Sequence, residues 1–285
     1  MDRSLRYVEC PRDSWQGFSR AIPTEQKRAY LRALTAAGFR WLDLGSFVSP
    51  AVVPQLADTE EVLAGLSRPP GTEFLCIVAN ERGLARALAV PGLSAVGYPL
   101  SVNETFQWRN TRRTLAASWE LVAWLQREAR AAGKGMVVYL SMGFGNPYGE
   151  PWVPADTAGA VGRLRELGVS DIALADTVGT AGPDRLRAVL GALGTDAAGL
   201  GLHLHARPGR WRDQLEVALA HGLSWFEGAL GGIGGCPFAD DELVGNLPTE
   251  EVLPWLAERG FDPGVSMEAL VELSSRAREL QAAYG

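Results

Sequence analysis

Apolar and polar positions alternate along the chain in blocks that predict strands and helices in turn. The apolar blocks are rich in Val, Ile, Leu and aromatic residues and predict eight strands, over residues 6–13, 40–46, 72–79, 94–102, 135–142, 171–177, 200–205 and 224–230. Apolar residues at helical spacing predict helices over residues 23–37, 59–67, 81–90, 112–132, 155–167, 183–193 and 211–221. Two further helices are predicted near residues 249–258 and 266–284.

Eight strand–helix units of this size predict an α/β fold, a closed (β/α)8 TIM barrel with a C-terminal helical extension. The alternative, an open doubly wound sheet, lacks support because no Gly-x-Gly-x-x-Gly pattern follows the first strand. We therefore predict one catalytic barrel domain over residues 1–285, in which residues 247–285 form the extension.

Composition and charge narrow the classes of function. No apolar run approaches the ~18 residues of a membrane helix, and a net charge of −6 without a basic stripe argues against a nucleic-acid partner. The three cysteines, Cys10, Cys76 and Cys236, predict reduced thiols and a cytoplasmic location. The only lysines, Lys27 and Lys134, limit Schiff-base chemistry, which needs a buried lysine at the active end of a strand.

Two of the three histidines, His203 and His205, end the seventh predicted strand. Residues i and i+2 of a strand face the same side, so both imidazoles should point into the barrel near its carboxyl end, where barrels place functional groups. Two inward histidines beside acidic residues favour a metal site, and the alternative is a pair of hydrogen-bonded core histidines. His221 ends a helix and is interpreted as a cation near the helix C-terminus.

Asp13 and Asn246 extend the predicted metal site. Asp13 needs a cation at the inner end of its strand because ionised carboxylates are rarely buried unpaired, and the alternative is a loop cap. Asn246 follows the eighth strand and offers an amide oxygen. Two imidazoles, one carboxylate and one amide oxygen suit Mg²⁺ or Mn²⁺ and leave Zn²⁺, Co²⁺ and Fe²⁺ open. The predicted ligands are Asp13, His203, His205 and Asn246.

Arg12 keeps its charge at any accessible pH, so at the barrel mouth it is predicted to stabilise an anion or an enolate oxygen. The alternative is a structural ion pair with Asp176 or Asp43. Cys236 stands after the glycine-rich run 231–235 and is predicted to lie on a mobile loop over the site.

Several motifs resemble those of the 3-hydroxy-3-methylglutaryl-CoA lyase family over about residues 6 to 275. In the family's order they are Glu9-Cys10-Pro11-Arg12-Asp13, Ser46-Phe47-Val48-Ser49-Pro50, Asn146-Pro147-Tyr148, Asp176-Thr177-Val178-Gly179, His203-x-His205, Gly232-Ile233-Gly234-Gly235-Cys236-Pro237 and Gly245-Asn246-Leu247. The resemblance implies the same four metal ligands. It also implies the catalytic residues Arg12, Asp13, Asp43, Asp176, His203 and Cys236.

The resemblance implies the reaction as well. The predicted enzyme is a divalent-metal-dependent carbon–carbon lyase that cleaves a 3-hydroxy-3-methylglutaryl-CoA-like thioester to acetyl-CoA and a 3-oxo acid, acetoacetate. Arg12 would hold the enolate oxygen, Asp43 would occupy the position of a catalytic glutamate, and Cys236 or His203 would donate the final proton. An acyl-CoA partner, a role in leucine degradation and a homodimer or higher homo-oligomer are expected too.

Some positions depart from the family pattern. Asp43 is one methylene shorter than the usual glutamate, Ala206 replaces an aspartate, Ser14-Trp15 replaces a Gly-Leu pair, and Asn146 replaces a cysteine. A Trp15 side chain that points inward would reshape the acyl pocket. Two alternatives to the lyase are therefore a Claisen-type acyl-CoA condensing transferase of the same superfamily and a catalytically impaired barrel with a binding role.

Overall fold

The computed structural model describes residues 5–207, 209–234 and 244–285 and contains a closed barrel of eight parallel strands. Each strand pairs with the next, and β8 pairs with β1 to close the barrel. The strands are β1 (Arg6–Glu9), β2 (Trp41–Ser46), β3 (Glu73–Ile77), β4 (Ala95–Ser101), β5 (Gly135–Ser141), β6 (Asp171–Asp176), β7 (Gly201–Ala206) and β8 (Trp225–Gly228). A short ninth strand, β9 (Gly245–Asn246), runs antiparallel to β7. The predicted TIM barrel is confirmed.

Helices separate successive strands of the barrel. They are α1 (Pro11–Trp15), α2 (Thr24–Ala36), α3 (Thr59–Ala64), α4 (Glu81–Leu88), α5 (Glu104–Thr111), α6 (Leu115–Ala131), α7 (Pro154–Glu166), α8 (Pro183–Leu193), α9 (Trp211–Ala220), α10 (Thr249–Ala257) and α11 (Met267–Tyr284). The last two form the predicted C-terminal helices. Among the described helices, none combines the length and the apolar character that crossing a membrane requires. The treatment of the whole chain as one domain stays a prediction.

Strand side chains alternate between two apolar cores. Those that point inward fill the barrel interior, as Val8 and Trp225 do. Those that point outward, such as Leu202 and Leu204 of β7, pack with the surrounding helices. Because neighbours on a strand face opposite sides, His203 and His205 point into the barrel, as predicted from their spacing.

The first strand is shorter than predicted because Pro11 ends it. A proline nitrogen has no hydrogen to donate to a sheet, and its ring suits the first turn of a helix. Cys10 still donates its N–H to the carbonyl oxygen of Gly228 at 2.9 Å, and α1 begins at the next residue. Arg12 and Asp13 therefore lie on a one-turn helix at the carboxyl end of the barrel, not on the strand.

Helix α5 was missed by the sequence analysis, although its start carries a capping signal. The Oδ1 atom of Asn103 accepts a hydrogen bond from the Phe106 N–H at 2.8 Å, and Glu104 occupies the first turn. The helix ends at Arg112, whose φ of 57° lies in the left-handed region. Residues other than glycine rarely adopt this region, and they do so mostly where the surrounding structure fixes a turn. This turn brings Arg112 and Arg113 to the rim of the cavity described below.

Candidate active site at the carboxyl end of the barrel

The two histidines of β7 meet one acidic residue of α1. The Nε2 atoms of His203 and His205 lie 3.2 Å apart, and Nε2 of His205 lies 3.8 Å from Oδ2 of Asp13. One donor atom from each of the three residues falls within 4.8 Å of the other two, and all three side chains are buried. The sequence therefore predicted correctly that these residues come together.

Asn246 completes the predicted group from β9. The pairing of β9 with β7 sets Asn246 opposite His205. Its Nδ2 donates to Oδ2 of Asp13 at 2.7 Å and to the carbonyl oxygen of Ile233 at 2.9 Å. Its Oδ1 is buried and accepts no hydrogen bond from the described residues. A buried amide oxygen without a donor is costly, so this atom fits a site that binds a cation.

The donor set fits a divalent metal. Two ligand atoms at about 2.1 Å from an ion and at a right angle to each other stand roughly 3.0 Å apart. The Nε2–Nε2 separation of 3.2 Å is close to that value. The group combines two imidazole nitrogens with a carboxylate, and the Asn246 amide lies next to that carboxylate; this set is compatible with Mg²⁺ or Mn²⁺ and with other first-row ions.

Asp13 stays ionised in this setting. Burial by itself raises the pKa of the carboxyl group, but the charge of Arg12, a hydrogen bond with His205 and the charge of His203 together hold the pKa well below its usual range. For His203, desolvation lowers the pKa, and the hydrogen bond and charge of Glu227 outweigh that effect, so the pKa is raised. The site thus holds opposite charges close together in a buried space.

Arg12 lies between two carboxylates. Its Nε and Nη2 donate to Oδ2 of Asp43 at 2.9 and 2.5 Å, and its Nη1 donates to Oδ1 of Asp13 at 2.8 Å. Nη1 also donates to Oε1 of Gln16 at 3.2 Å. The structural ion pair that the sequence left open as an alternative is therefore present. It does not exclude a role toward substrate, since Arg12 also lines the central cavity.

Asp43 is fully buried behind Arg12. Burial raises its pKa to about 6, although Arg12 pulls in the opposite direction. Its Oδ2 accepts from Arg12, and its Oδ1 receives no hydrogen bond from the described residues. Its side chain is not part of the cavity wall. Asp43 is thus connected to the site by its hydrogen bonds with Arg12. Direct catalysis by this carboxylate stays a prediction.

Asp176 organises the loop after β6. Its two carboxylate oxygens accept hydrogen bonds from the backbone N–H groups of Thr180 and Ala181, each at 2.9 Å. Burial raises its pKa, and these two N–H groups partly offset the effect. Asp176 does not join the metal-ligand group of Asp13, His203 and His205. The carbonyl oxygen of the neighbouring Thr177 accepts a hydrogen bond from Nδ1 of His205 at 3.3 Å. The loop after β6 therefore contacts the site through this backbone carbonyl.

The cysteine predictions divide. Cys236 lies outside the described residues. Cys10 and Cys76 are buried free thiols, and burial raises the pKa of both well above the ordinary value, so both stay protonated at neutral pH.

Both lysines lie away from the site. Lys27 is buried outside the barrel, with its Nζ 2.6 Å from Oδ1 of Asp58. Lys134 donates from Nζ to the carbonyl oxygens of Val90 and Leu93 at 3.1 and 2.6 Å. Neither residue lines the central cavity. This arrangement agrees with the prediction that Schiff-base chemistry is disfavoured.

A cavity of about 590 Å³ opens above the metal-ligand group. Its floor is polar and consists of Arg12, Asp13, Tyr139, Thr177, His203 and His205. One wall is apolar and consists of Val48, Val52, Val53, Leu56, Ile77 and Phe106. Arg112 and Arg113 lie at its rim, where Arg113 pairs with Glu81 at 2.7 Å. The cavity therefore offers polar, apolar and basic surfaces to a ligand.

Trp15 does not reach the cavity. Its ring is 2% exposed, belongs to the outer core, and lies 5.9 Å from the ring of Tyr30, centroid to centroid. Helix α1 turns this residue outward. The sequence analysis predicted a strand up to residue 13, and that prediction did not determine the direction of the Trp15 side chain. The expectation that an inward Trp15 reshapes the acyl pocket is wrong. Ser14 stays nearby and donates from Oγ to the carbonyl oxygen of Ile233 at 3.1 Å.

The sequence analysis missed two buried glutamates. Glu227 of β8 accepts a hydrogen bond from Nδ1 of His203 at 2.9 Å. Glu9 of β1 accepts from the N–H of Leu230 at 2.8 Å and from the hydroxyl of Thr249 at 2.6 Å. The alternation along β8 was a usable signal for Glu227, because it places this charged residue inside the barrel two residues after Trp225.

Glu9 should make stability depend on pH. Burial raises its pKa from 4.5 to about 8, so the folded protein keeps a proton that the unfolded chain loses above pH 4.5. The unfolding free energy therefore falls as the pH rises from 5 to 8, on the order of 3 kcal/mol from this group. Glu9→Gln should remove this part of the fall, as measured by chemical denaturation at pH 5, 6, 7 and 8.

The matched control for that measurement is Glu60→Gln. Glu60 is largely exposed, and its hydrogen bond with Arg86 lowers its pKa, so it titrates below this pH window. Equal pH slopes for wild type and Glu9→Gln would show that Glu9 is ionised throughout.

Comparisons with known proteins identify the family of this chain. The HMGL-like family matches residues 9–276. A hydroxymethylglutaryl-CoA lyase of Bacillus subtilis is 32% identical over 264 residues, which cover 92% of this chain and 87% of the relative. A 3-hydroxy-3-isohexenylglutaryl-CoA/hydroxymethylglutaryl-CoA lyase of Pseudomonas aeruginosa is 31% identical over 284 residues, which cover 97% and 92%.

A solved structure of similar shape is that of an HMG-CoA lyase from Acinetobacter baumannii in complex with coenzyme A and 3-methylmalate. It superposes with a TM-score of 0.89 at 28% identity and covers 98% of this chain and 92% of that one. The family match spans most of the chain, from β1 to α11. The predicted family and the prediction that the protein is an enzyme are therefore confirmed. The relatives of this chain named above are hydroxymethylglutaryl-CoA lyases, and the chain belongs to the HMGL-like family.

Proposed function

We propose that this protein is a divalent-metal-dependent carbon–carbon lyase. Its substrate is a 3-hydroxy-3-methylglutaryl-CoA-like thioester, and its products are acetyl-CoA and a 3-oxo acid, acetoacetate for the methyl substrate. One observation carries the proposal: Asp13, His203 and His205 come together beside Arg12 in the lining of one cavity, and Asn246 is hydrogen-bonded to Asp13. The names of the relatives and the coenzyme A in the Acinetobacter structure support it. The cytoplasmic location, the homo-oligomer and the role in leucine degradation stay predictions.

Four residues would hold the metal, which we propose is Mg²⁺ or Mn²⁺. They are Asp13, His203, His205 and Asn246. When bound there, a divalent metal supplies Lewis-acid polarisation that lowers the pKa of a substrate hydroxyl. The protein's part is to present two imidazole nitrogens and two oxygens in a buried site that excludes most of the water.

Asp13 is the proposed base, directly or through a water that it orients. It accepts the proton of the tertiary hydroxyl at C3 of the substrate. The O–H electron pair becomes part of the new C=O bond of the 3-oxo acid, and the C2–C3 bond breaks. The electron pair of that bond stays with C2 as a thioester enolate. No oxidant or reductant is needed.

Arg12 is proposed to hold the enolate oxygen. Four of its five N–H groups donate to described side chains, which leaves one N–H of Nη2 for a ligand. Asp43 keeps the guanidinium in place, so it acts as a positioning residue in this scheme, and Asp176 positions the loop behind His205. Cys236 or His203 then protonates C2 to give acetyl-CoA, and the choice between the two donors stays open.

The remaining surfaces of the cavity suit coenzyme A. The apolar wall, most of which comes from the segment after β2, fits the pantetheine chain, and the arginines at the rim fit its phosphates. The left-handed backbone of Arg112 holds this rim in a fixed turn.

A product assay tests the proposal. The purified protein with Mg²⁺ and 3-hydroxy-3-methylglutaryl-CoA, without any 2-oxo acid, should form acetyl-CoA and acetoacetate in equal amounts. Release of free coenzyme A only when acetyl-CoA and a 2-oxo acid are supplied together would instead identify a condensing transferase. Binding of the thioester without turnover would identify the impaired barrel.

Trp15→Leu is expected to affect stability and to leave specificity unchanged. The ring is packed against Tyr30, so the smaller leucine leaves a void and should lower the unfolding free energy by about 1–3 kcal/mol. The ratio of kcat/KM values for two 3-alkyl analogues should equal that of wild type, because the ring does not line the cavity. A changed ratio at unchanged stability would return Trp15 to the acyl pocket.

A further inference from the structure

Glu227 is a buried acid directly behind the proposed metal site. It stands on the inner face of β8, in register with His203 of β7. Its side chain is 0% exposed, and its Oε2 lies 2.9 Å from Nδ1 of His203. It also stands in register with Val8 of β1, so it belongs to the packed layer of the barrel interior.

The acid has few other partners. Its Oε1 accepts no hydrogen bond from the described residues. The Sγ atom of Cys10 lies 3.9 Å from Oε2, which is at best a weak contact. Among the described residues, no lysine or arginine forms an ion pair with Glu227. A buried carboxylate without such a cation is unfavourable by itself, so its place in the fold needs a reason other than stability.

The contact determines where the proton of His203 lies. A carboxylate oxygen can only accept a hydrogen bond, so Nδ1 of His203 must donate. The carbonyl oxygen of Thr177 is likewise an acceptor, and Nδ1 of His205 donates to it at 3.3 Å. When both imidazoles are neutral, each therefore presents an unprotonated Nε2, and these two atoms face each other at 3.2 Å. Two lone pairs so close repel each other, and a metal ion bound by both nitrogens, or a proton on one of them, removes this repulsion.

We infer that Glu227 is a positioning residue that prepares His203 to bind the metal. It holds the proton on Nδ1, orients the ring, and makes Nε2 a stronger donor than that of His205, whose partner is a neutral carbonyl. The inference rests on the proposed metal-dependent function. It goes beyond that function because Glu227 is not one of the proposed metal ligands, and the four ligands alone do not predict a role for it.

The experiment compares Glu227→Met and Glu227→Gln with the matched control Glu9→Gln. Methionine removes the acceptor at similar volume, and glutamine keeps a carbonyl acceptor but loses the charge. Glu9 is equally buried on the neighbouring strand, with Leu230 and Thr249 as its partners. Calorimetric titration of the metal-free proteins with Mn²⁺ should give a 10- to 100-fold weaker affinity for Glu227→Met. Glu227→Gln should lie between this value and wild type, and Glu9→Gln should match wild type.

A second measurement reads the tautomer without any metal. The chain has three histidines, so imidazole ¹⁵N spectra of metal-free protein contain three ring systems, and His221 serves as the reference. At a pH where His203 is neutral, wild type should have the proton of this ring on Nδ1. Glu227→Met should give a mixture of tautomers at His203 and leave His221 unchanged.

The two measurements separate failure of the inference from failure of the proposed function. Wild-type affinity and an unchanged His203 tautomer in a folded Glu227→Met protein would overturn the inference. If wild type itself binds no divalent metal, the proposed function fails, and the tautomer spectra still decide whether Glu227 fixes the proton. If Glu227→Met does not fold, Glu227→Gln decides: full affinity together with a wild-type pH dependence of Mn²⁺ binding would overturn the inference.

Discussion

Replacing Arg12 with glutamine should lower kcat about 10²- to 10³-fold, the usual loss when one fixed oxyanion donor is removed. The reason lies in the geometry of the site. Asp43 and Asp13 hold the guanidinium on both sides, so its remaining N–H is aimed before substrate arrives. Arg12→Lys should rescue poorly, because an ammonium group cannot contact both carboxylates with a planar fork.

Stability must be separated from catalysis in this test. Arg12→Gln leaves Asp43 buried without its cation, which should cost about 3–5 kcal/mol of unfolding free energy. The double variant Arg12→Gln/Asp43→Asn removes that charge and should recover most of the stability but none of the lost kcat. The measurements are denaturation curves and steady-state rates for wild type and three variants, the third being Asp43→Asn. Retention of more than half the activity by Arg12→Gln would reduce Arg12 to a structural ion-pair partner.

Removal of divalent metal is expected to abolish activity, and added Mg²⁺ or Mn²⁺ should restore it. His205→Ala should weaken Mn²⁺ binding by more than the 10- to 100-fold typical of a lost outer partner, because it deletes a donor atom itself. The Nε2 of this residue lies 3.8 Å from Oδ2 of Asp13 and 3.2 Å from Nε2 of His203, so its loss removes one of the three grouped donor atoms.

His221→Ala is the matched control for the metal experiment. His221 lies at the end of α9, with its Nδ1 2.8 Å from the carbonyl oxygen of Val217. Its loss removes one imidazole from the protein and none from the site. Binding measured by calorimetry should therefore be unchanged in this variant. Wild-type stoichiometry and affinity in His205→Ala would contradict the assignment of the metal ligands.

The sequence by itself determined the barrel and the candidate metal ligands that the structure brings together. Alternation of apolar residues fixes which side of a strand faces inward, and this rule alone oriented His203 and His205. The chemistry of the donors then pointed to Asp13 and Asn246, because a buried carboxylate needs a cation and an amide oxygen can bind one. Each inference relied on local pattern or on residue type, which a single sequence contains.

Only the tertiary structure decided what stands behind the ligands. Pro11 turned the end of the first strand into a one-turn helix, which directed Arg12 and Asp13 toward the barrel and Trp15 away from it. A helix of five residues is too short to show an apolar period, so the sequence pattern cannot predict where its side chains point.

The partners of the site residues were also decided in three dimensions. Asp43 and Arg12 stand 31 positions apart, and Glu227 and His203 stand 24 apart. Pairs of this kind depend on strand register and barrel closure. Parallel strands are joined through helices, so residues that touch are separated by a whole strand–helix unit. The sequence therefore identified the candidate metal ligands, whereas closure of the barrel decided that Arg12 pairs with Asp43 and His203 with Glu227.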